Sequence, residues 1–173
     1  MRYIKNGALA EDPFVYVEGD EPVPLSVPAI VSADWLLSAS KDQIEGRSAP
    51  LGVSWPNDKS ESELVPFLPQ LALVALEFPV FRDGRAFTQA RLLRERYGFK
   101  GEIRATGDVL RDQFLFMLRS GFDAFEVKKA ADADAFSQVL REFTLRYQPA
   151  ADGPLHAFRS RLASPVKARD GNA

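Results

Sequence analysis

Charged side chains that could bind or activate a small molecule follow several predicted strands of this sequence. Two segments pair a glycine with an acid just before a predicted helix, Asp83-Gly84-Arg85 and Thr106-Gly107-Asp108. In parallel α/β proteins such loops meet helix N-termini, where anions are favoured and arginine can hold an oxyanion with two hydrogen bonds. We therefore expect an anionic ligand, such as a phosphate, a sulfite-like anion or a carboxylate. The residues expected to bind it are Arg85, Arg104, Gly107, Asp108, Arg111 and Lys128.

The candidates for catalysis are Asp83, Arg104 and Asp108. Either carboxylate could act as a general base or orient a ligand. The same pattern also indicates a turn followed by a helix N-cap, above all at Asp108. Basic side chains at strand ends can equally be solvated charges on the rim of the protein, so both interpretations stay open.

A predicted helix carries Arg91 and Arg94, together with Glu95 and Arg96, on its outer side. Such a run is typical of a solvated helix face. It is also the pattern of a docking surface for an acidic partner, and Arg91 and Arg94 are the residues that we expect to dock.

Composition excludes several kinds of chemistry. The chain has no cysteine and one histidine, His156, so it offers no thiolate metal site, no cysteine-held iron–sulfur cluster and no expected metal centre. Neither G-x-G-x-x-G nor G-x-x-x-x-G-K-[ST] occurs, so no cofactor is indicated, although a borrowed flavin or nicotinamide stays open. A net charge of −2 gives no field for nucleic acid, and no apolar run has the length of a membrane span. We expect a cytoplasmic protein.

Four β–α units follow one another from residue 51. Their strands are predicted at 51–55, 71–78, 102–106 and 124–128, and their helices near 61–70, after Gly84, after Asp108 and after Asp132. Before them, residues 2–5 and 14–17 are predicted as antiparallel strands joined by a turn at Asn6-Gly7, and Ser32 as the N-cap of a short helix. The predicted domains are an N-terminal extension packing on the core (1–50), a β/α core (51–148) and a flexible C-terminal tail (149–173).

Charge inside the strands defines the predicted sheet. Glu102, Arg104 and Thr106 alternate with apolar residues, as do Glu126 and Lys128, and Glu77 lies near the end of its strand. A charged face opposite a helix-covered face is typical of the inside of a β/α barrel. Four units make half of the usual eight. The predicted fold is therefore α/β, with four consecutive β–α units and a parallel, half-barrel-like sheet, preceded by a short N-terminal β/loop/helix segment. Internal salt bridges, the N-terminal segment or a second copy in a homodimer could cover the charged face.

Several long motifs resemble one known family. They are Phe78-Pro79-Val80-Phe81-Arg82-Asp83-Gly84-Arg85, Gln89-Ala90-Arg91-Leu92-Leu93-Arg94, Gly101 to Val109, Arg111-Asp112-Gln113 and Gly121-Phe122-Asp123-Ala124-Phe125. The sequence over about 50–147 is similar to a bacterial domain-of-unknown-function family commonly described as probable oxidoreductases of sulfite reduction. The genes of that family typically lie beside those of assimilatory sulfite reductase.

The resemblance implies a role in reducing sulfite to sulfide. Because the chain has no residues for a redox centre, we expect an accessory protein that supports or docks on the sulfite reductase subunit, rather than an independent oxidoreductase. The alternative is a small β/α enzyme that binds phosphate, sulfite or a flavin phosphate at the carboxyl ends of its strands.

Overall fold

The computed structural model describes residues 2–5, 8–19, 21–80 and 82–127, in which eight strands form one mixed sheet. The strands are β1 (Arg2–Lys5), β2 (Ala8–Ala10), β3 (Val15–Tyr16), β4 (Ala29–Ser32), β5 (Leu51–Trp55), β6 (Leu71–Phe78), β7 (Glu102–Gly107) and β8 (Ala124–Val127). The described helices are α1 (Ala33–Ser38), α2 (Lys41–Glu45), α3 (Arg85–Glu95) and α4 (Phe114–Ser120), with 3₁₀ turns at Glu61–Leu64, Leu68–Gln70 and Arg111–Gln113. Across the sheet the order is β2-β1-β8-β7-β6-β5-β4-β3.

The four predicted core strands lie side by side and are parallel, as β5 to β8. The expected bounds of β5 and β6 are confirmed, and β7 differs by one residue. The four β–α units are only partly found. Two 3₁₀ turns replace the helix after β5, because Pro66 and Pro69 remove backbone donors and clash with a helical turn. The helix expected after Asp132 lies outside the described residues.

The N-terminal strands pair differently from the prediction. β1 is antiparallel to both β2 and β8, whereas β3 is parallel to β4 at the opposite edge of the sheet. The expected hairpin between residues 2–5 and 14–17 is therefore wrong, and the expected turn at Asn6-Gly7 lies outside the described residues. The physical reason is long-range: pairing with β8 buries Tyr3 and Ile4, which a local hairpin would leave exposed. Sequence patterns also missed β2, β4 and α2.

Two helix ends test the predicted caps. The Ser32 hydroxyl accepts a hydrogen bond from the Trp35 amide at 3.2 Å, which confirms this N-cap. Gly121 ends α4 with φ 108°, a left-handed conformation that glycine adopts at little cost. The N-cap expected at Asp108 is wrong, because α4 begins only at Phe114, after a 3₁₀ turn. Leu110, in the segment between Asp108 and α4, is exposed.

The sheet separates an apolar face from a polar face. Val74 and Leu76 point into the main core beneath α3 and α4, while Leu73 and Ala75 of the same strand pack against Ile30 and Phe14 on the other side. The second face is concave. Tyr16 of β3 hydrogen-bonds Glu126 of β8, although five strand spacings, roughly 24 Å in a flat sheet, separate these strands. The sheet is therefore curled into a half-barrel.

None of the helices in the described part of the chain is long and apolar enough to cross a membrane. The tail predicted at 149–173 lies outside the described residues.

Candidate functional site

A buried arginine organises the concave face. Arg104 lies in the middle of β7, its side chain is fully buried, and its guanidinium touches three carboxylates. Nη1 and Nη2 donate to Asp12 at 2.5 and 3.1 Å, Nε donates to Glu102 at 3.0 Å, and Glu126 lies 3.9 Å from Nη1. A buried cation needs such partners, because removing it from water otherwise costs several kcal/mol, on the order of 5. The internal ion pairs considered as cover for this face therefore exist around Arg104.

Glu102 joins this network to β1, the strand next to the edge of the sheet. Its Oε2 accepts hydrogen bonds from the Tyr3 hydroxyl at 2.8 Å and from Lys5 Nζ at 2.7 Å, both in β1. The Tyr3 ring also lies under Arg104, with the guanidinium carbon 4.2 Å from the ring centroid. β1 thus contributes to the charged face as well as to the sheet.

Residues 11–18 cross the concave face and are called the strap below. Three of its side chains point at the face. Asp12 binds Arg104, and Tyr16 donates a hydrogen bond to Glu126. Phe14 packs on the small apolar cluster formed by Ile30, Leu73 and Ala75. The N-terminal segment therefore covers part of the charged face within one chain. A homodimer that covers the rest stays a prediction.

The network shifts the ionisation of its members in ways that follow from burial and charge. Burial and the hydrogen bond to Glu102 raise the pKa of the Tyr3 phenol well above its usual range, and burial with the Glu126 contact does the same for the pKa of Tyr16. Burial alone would lower the pKa of Arg104, but the contacts with Asp12 and Glu102 outweigh it and raise that pKa. Both phenols are therefore neutral donors and the guanidinium is charged.

An open cavity of about 670 Å³ lies between the strap and the carboxyl ends of the strands. It is lined by Asp12, Phe14, Tyr16, Glu18, Ser54, Glu77, Phe78, Pro79, Thr106, Gly107 and Glu126. A second cavity of about 320 Å³ adjoins it and shares Tyr16, Glu18, Ser54 and Glu77. Ligand sites of parallel α/β folds occupy this end of the sheet, so the cavity is the candidate site.

The structure does not gather the predicted ligand-binding residues around this cavity. Gly107 lines it, with φ 87°, but Arg104 lies beneath the strap and is engaged by carboxylates. Arg111 is exposed on the 3₁₀ turn before α4, and Asp108 follows β7, its amide donating to the Phe78 carbonyl at 2.7 Å. Lys128 lies outside the described residues.

Asp83 and Arg85 form a local pair. Arg85 Nη2 donates to Asp83 Oδ2 at 2.7 Å, and the Asp83 side chain also accepts from the Arg85 amide and Nε. This pairing holds the pKa of the Asp83 carboxyl well below its usual range. A carboxylate so weakly basic is a poor general base, and neither residue lines the cavity.

The two arginines predicted to dock have different environments. Arg91 is exposed and pairs with Glu95 one turn along α3. Arg94 is mostly buried, donates to the carbonyls of Phe99, Gly101 and Gly121, and forms an ion pair with Asp123. Because its guanidinium is used inside the chain, Arg94 has a structural role, and of the two arginines only Arg91 is exposed to a partner.

Of the residues that line the cavity, only Gly107 was among those predicted to bind a ligand, although Glu77, Thr106 and Glu126 were placed on the charged face. Ser54 and Glu77 share a hydrogen bond of 2.8 Å at the carboxyl ends of β5 and β6, and the strap supplies Asp12, Tyr16 and Glu18. One signal was present: between residues 6 and 40 the sequence has six acidic residues and no lysine or arginine. That run indicates an acidic surface, and part of it forms the strap.

These features define the class of the protein as a mixed α/β half-barrel with a cavity at the carboxyl ends of its parallel strands. The chain belongs to the DUF934 family of bacterial proteins of unknown function, whose family model matches residues 52–158. No match was found among curated proteins.

Proposed function

We propose that this chain is an accessory protein of assimilatory sulfite reduction that docks on the sulfite reductase subunit. The support for the pathway is the motif resemblance described above, because the genes of the family that the motifs resemble typically lie beside those of assimilatory sulfite reductase. The absence of cysteine from the sequence supports a partner role, because a chain without thiolates cannot itself hold the iron–sulfur cluster of such a reductase.

The observation that carries docking is the basic surface around α3. Residues 82–100 include five exposed basic residues, Arg82, Arg85, Arg91, Arg96 and Lys100, and two acidic ones, Asp83 and Glu95, which leaves a charge of +3 once the buried Arg94 is set aside. The whole chain has a net charge of −2, so this excess is local. Exposed guanidinium groups recognise carboxylates, and a local charge excess speeds encounter with an acidic surface.

A charge reversal on α3 tests this docking. Arg91→Glu is expected to lower capture of the reductase subunit from sulfate-grown cells by roughly tenfold, and more at low ionic strength, since attraction becomes repulsion. The matched control is Lys41→Glu on α2, which also reverses one exposed charge and breaks an i,i+4 pair, Lys41–Glu45. Equal capture by both variants, or normal sulfide formation in a deletion strain, would contradict the proposal.

A second candidate function rests on the cavity: binding or conversion of a small molecule at the strand ends. Its anionic form, with phosphate, sulfite or a flavin phosphate as ligand, predicts a rise in melting temperature with phosphate, sulfite or flavin mononucleotide. Four carboxylates line the cavity, and they would repel such a ligand. A flat response to all three anions would contradict the anionic form.

A further inference from the structure

The size and position of the cavity are those of a small-molecule site. About 670 Å³ lies within the range of about 300–1,000 Å³ that is usual for ligand pockets. Its walls come from the carboxyl ends of β5, β6 and β7, and its outer side is the strap. We propose that this cavity binds a small organic cation, a protonated amine or guanidine, between the strap and Glu77. The proposal rests on the second candidate function and replaces its anionic ligand.

The charge of the walls decides the ligand class. The lining includes Asp12, Glu18, Glu77 and Glu126 and no basic residue. Arg104 lies beneath these lining residues, and its guanidinium already donates hydrogen bonds to Asp12 and Glu102. Even with Arg104 and Lys5 counted against Asp12, Glu102 and Glu126, the network has a charge of −1, and Glu18 and Glu77 bring it to −3.

Glu77 is the carboxylate that a cation would meet. Its Oε1 accepts a hydrogen bond from Ser54 at 2.8 Å, and within the described ranges neither Glu77 nor Glu18 forms an ion pair. A partly buried carboxylate without a counter-charge is costly, and a bound ammonium would remove that cost. Glu77 therefore anchors the positive end of the ligand.

Aromatic rings complete the site. Phe14, Tyr16 and Phe78 line the same cavity, and ring faces attract ammonium and guanidinium groups. The Tyr16 hydroxyl gives its hydrogen to Glu126, so its oxygen can accept one from a ligand N–H. In the described part of the chain no three acidic or histidine side chains are grouped to hold a metal ion. The negative charge is spread over the cavity, which suits an extended organic cation.

A matched ligand series tests the charge. Benzylamine, benzyl alcohol and benzoate share one ring and differ in charge, and agmatine and spermidine add longer cations. In calorimetric titration at low ionic strength we expect at least one amine to bind saturably, benzylamine to bind more tightly than benzyl alcohol, and benzoate not to bind. Comparable binding of benzoate, or no saturation by any amine up to about 10 mM, a range that reaches the weak millimolar affinities, would overturn the proposal.

Variants locate the binding. Glu77→Gln keeps the shape and the Ser54 hydrogen bond but removes the charge, and is expected to weaken amine binding tenfold or more. Glu63→Gln, at an exposed position of a 3₁₀ turn, is the control and should leave affinity unchanged. Glu18→Gln removes a second charge from the cavity lining at an exposed position, and it replaces Glu77→Gln in the test if that variant does not fold. Amine affinity equal in all three variants would overturn the site. A response to phosphate with none to amines would overturn only the ligand class and retain the cavity as a site.

Discussion

Asp12 and Arg104 lie 92 residues apart in the chain, yet their side chains face each other through two hydrogen bonds of 2.5 and 3.1 Å. The contact fixes the strap on the concave face of the sheet. It also supplies a negative charge to a fully buried guanidinium, which could not be stable there alone.

Replacing Asp12 tests how much the strap depends on this pair. Asp12→Ala is expected to lower the free energy of unfolding by about 2–3 kcal/mol, because it leaves Arg104 with less compensation in a buried place. Urea denaturation followed by circular dichroism measures the change. Glu11→Ala, the exposed neighbour, should stay within about 0.5 kcal/mol of the parent. A similar small effect at both positions would mean that the strap is held by other contacts.

The internal role of Arg94 predicts a stability difference between two neighbouring arginines. Arg94→Ala removes donors to three carbonyls and the partner of Asp123, and should cost about 3 kcal/mol. Arg91→Ala removes only an exposed pair with Glu95, worth about 0.5 kcal/mol or less. Thermal or urea unfolding of the two variants compares them directly. Equal losses would refute the assignment of Arg94 as a structural residue.

Gly107 is predicted to be intolerant of any side chain. Its φ is 87°, and a Cβ there would lie 2.5 Å from the Phe78 carbonyl oxygen. Gly107→Ala should therefore destabilise the protein by about 2 kcal/mol and distort the cavity wall. Gly84→Ala is the control, since φ is −89° and the nearest atom, on Phe87, would be at 3.6 Å. Unfolding measurements on both variants compare the losses of stability. Equal losses would show that the loop after β7 rearranges to accept a side chain at Gly107.

Tyrosine ionisation predicts an alkaline pH dependence. The pKa values of Tyr3 and Tyr16 are raised, so the neutral phenols are favoured in the folded chain. The stability that they contribute is complete below about pH 10, the ordinary pKa of tyrosine, and falls as the pH rises through the folded-state pKa. Absorbance titration near 295 nm, the phenolate band, should show these two tyrosines ionising later than a free phenol. Glu126→Gln should lower the pKa of Tyr16; an unchanged titration would show that Glu126 is not its partner.

The strand core could be predicted because local pattern and tertiary burial agree there. The alternation of Glu102, Arg104 and Thr106 with Ile103 and Ala105 gave both the strand and its charged face. The ends of β5 and β6 followed from continuous apolar runs between turn signals.

The strand in the strap was predicted at 14–17, but its partner strand and its contacts on the concave face could not be predicted, because distant residues define them. Val15 and Tyr16 form a strand only through pairing with Ala29 and Ile30. Asp12 is held by Arg104 of β7, a central strand of the sheet. The arginine run on α3 shows a similar gap. Its spacing does not reveal that Arg94 donates to the carbonyls of Phe99 and Gly101, in the loop before β7, and of Gly121 at the end of α4. Only the fold therefore separates Arg94 from Arg91.

The strand order also sets a sequence of assembly. Strands β4 to β7 are neighbours in the chain and in the sheet, so each can pair with the strand before it as the chain emerges from the ribosome. β1 is synthesised before all of them, yet its partner β8 emerges about 120 residues later, by the register of Ile4 with Phe125. The β1–β2 hairpin can therefore form early, but it joins the rest of the sheet only after β8 has been made, and the cavity wall at Glu126 is completed at the same stage.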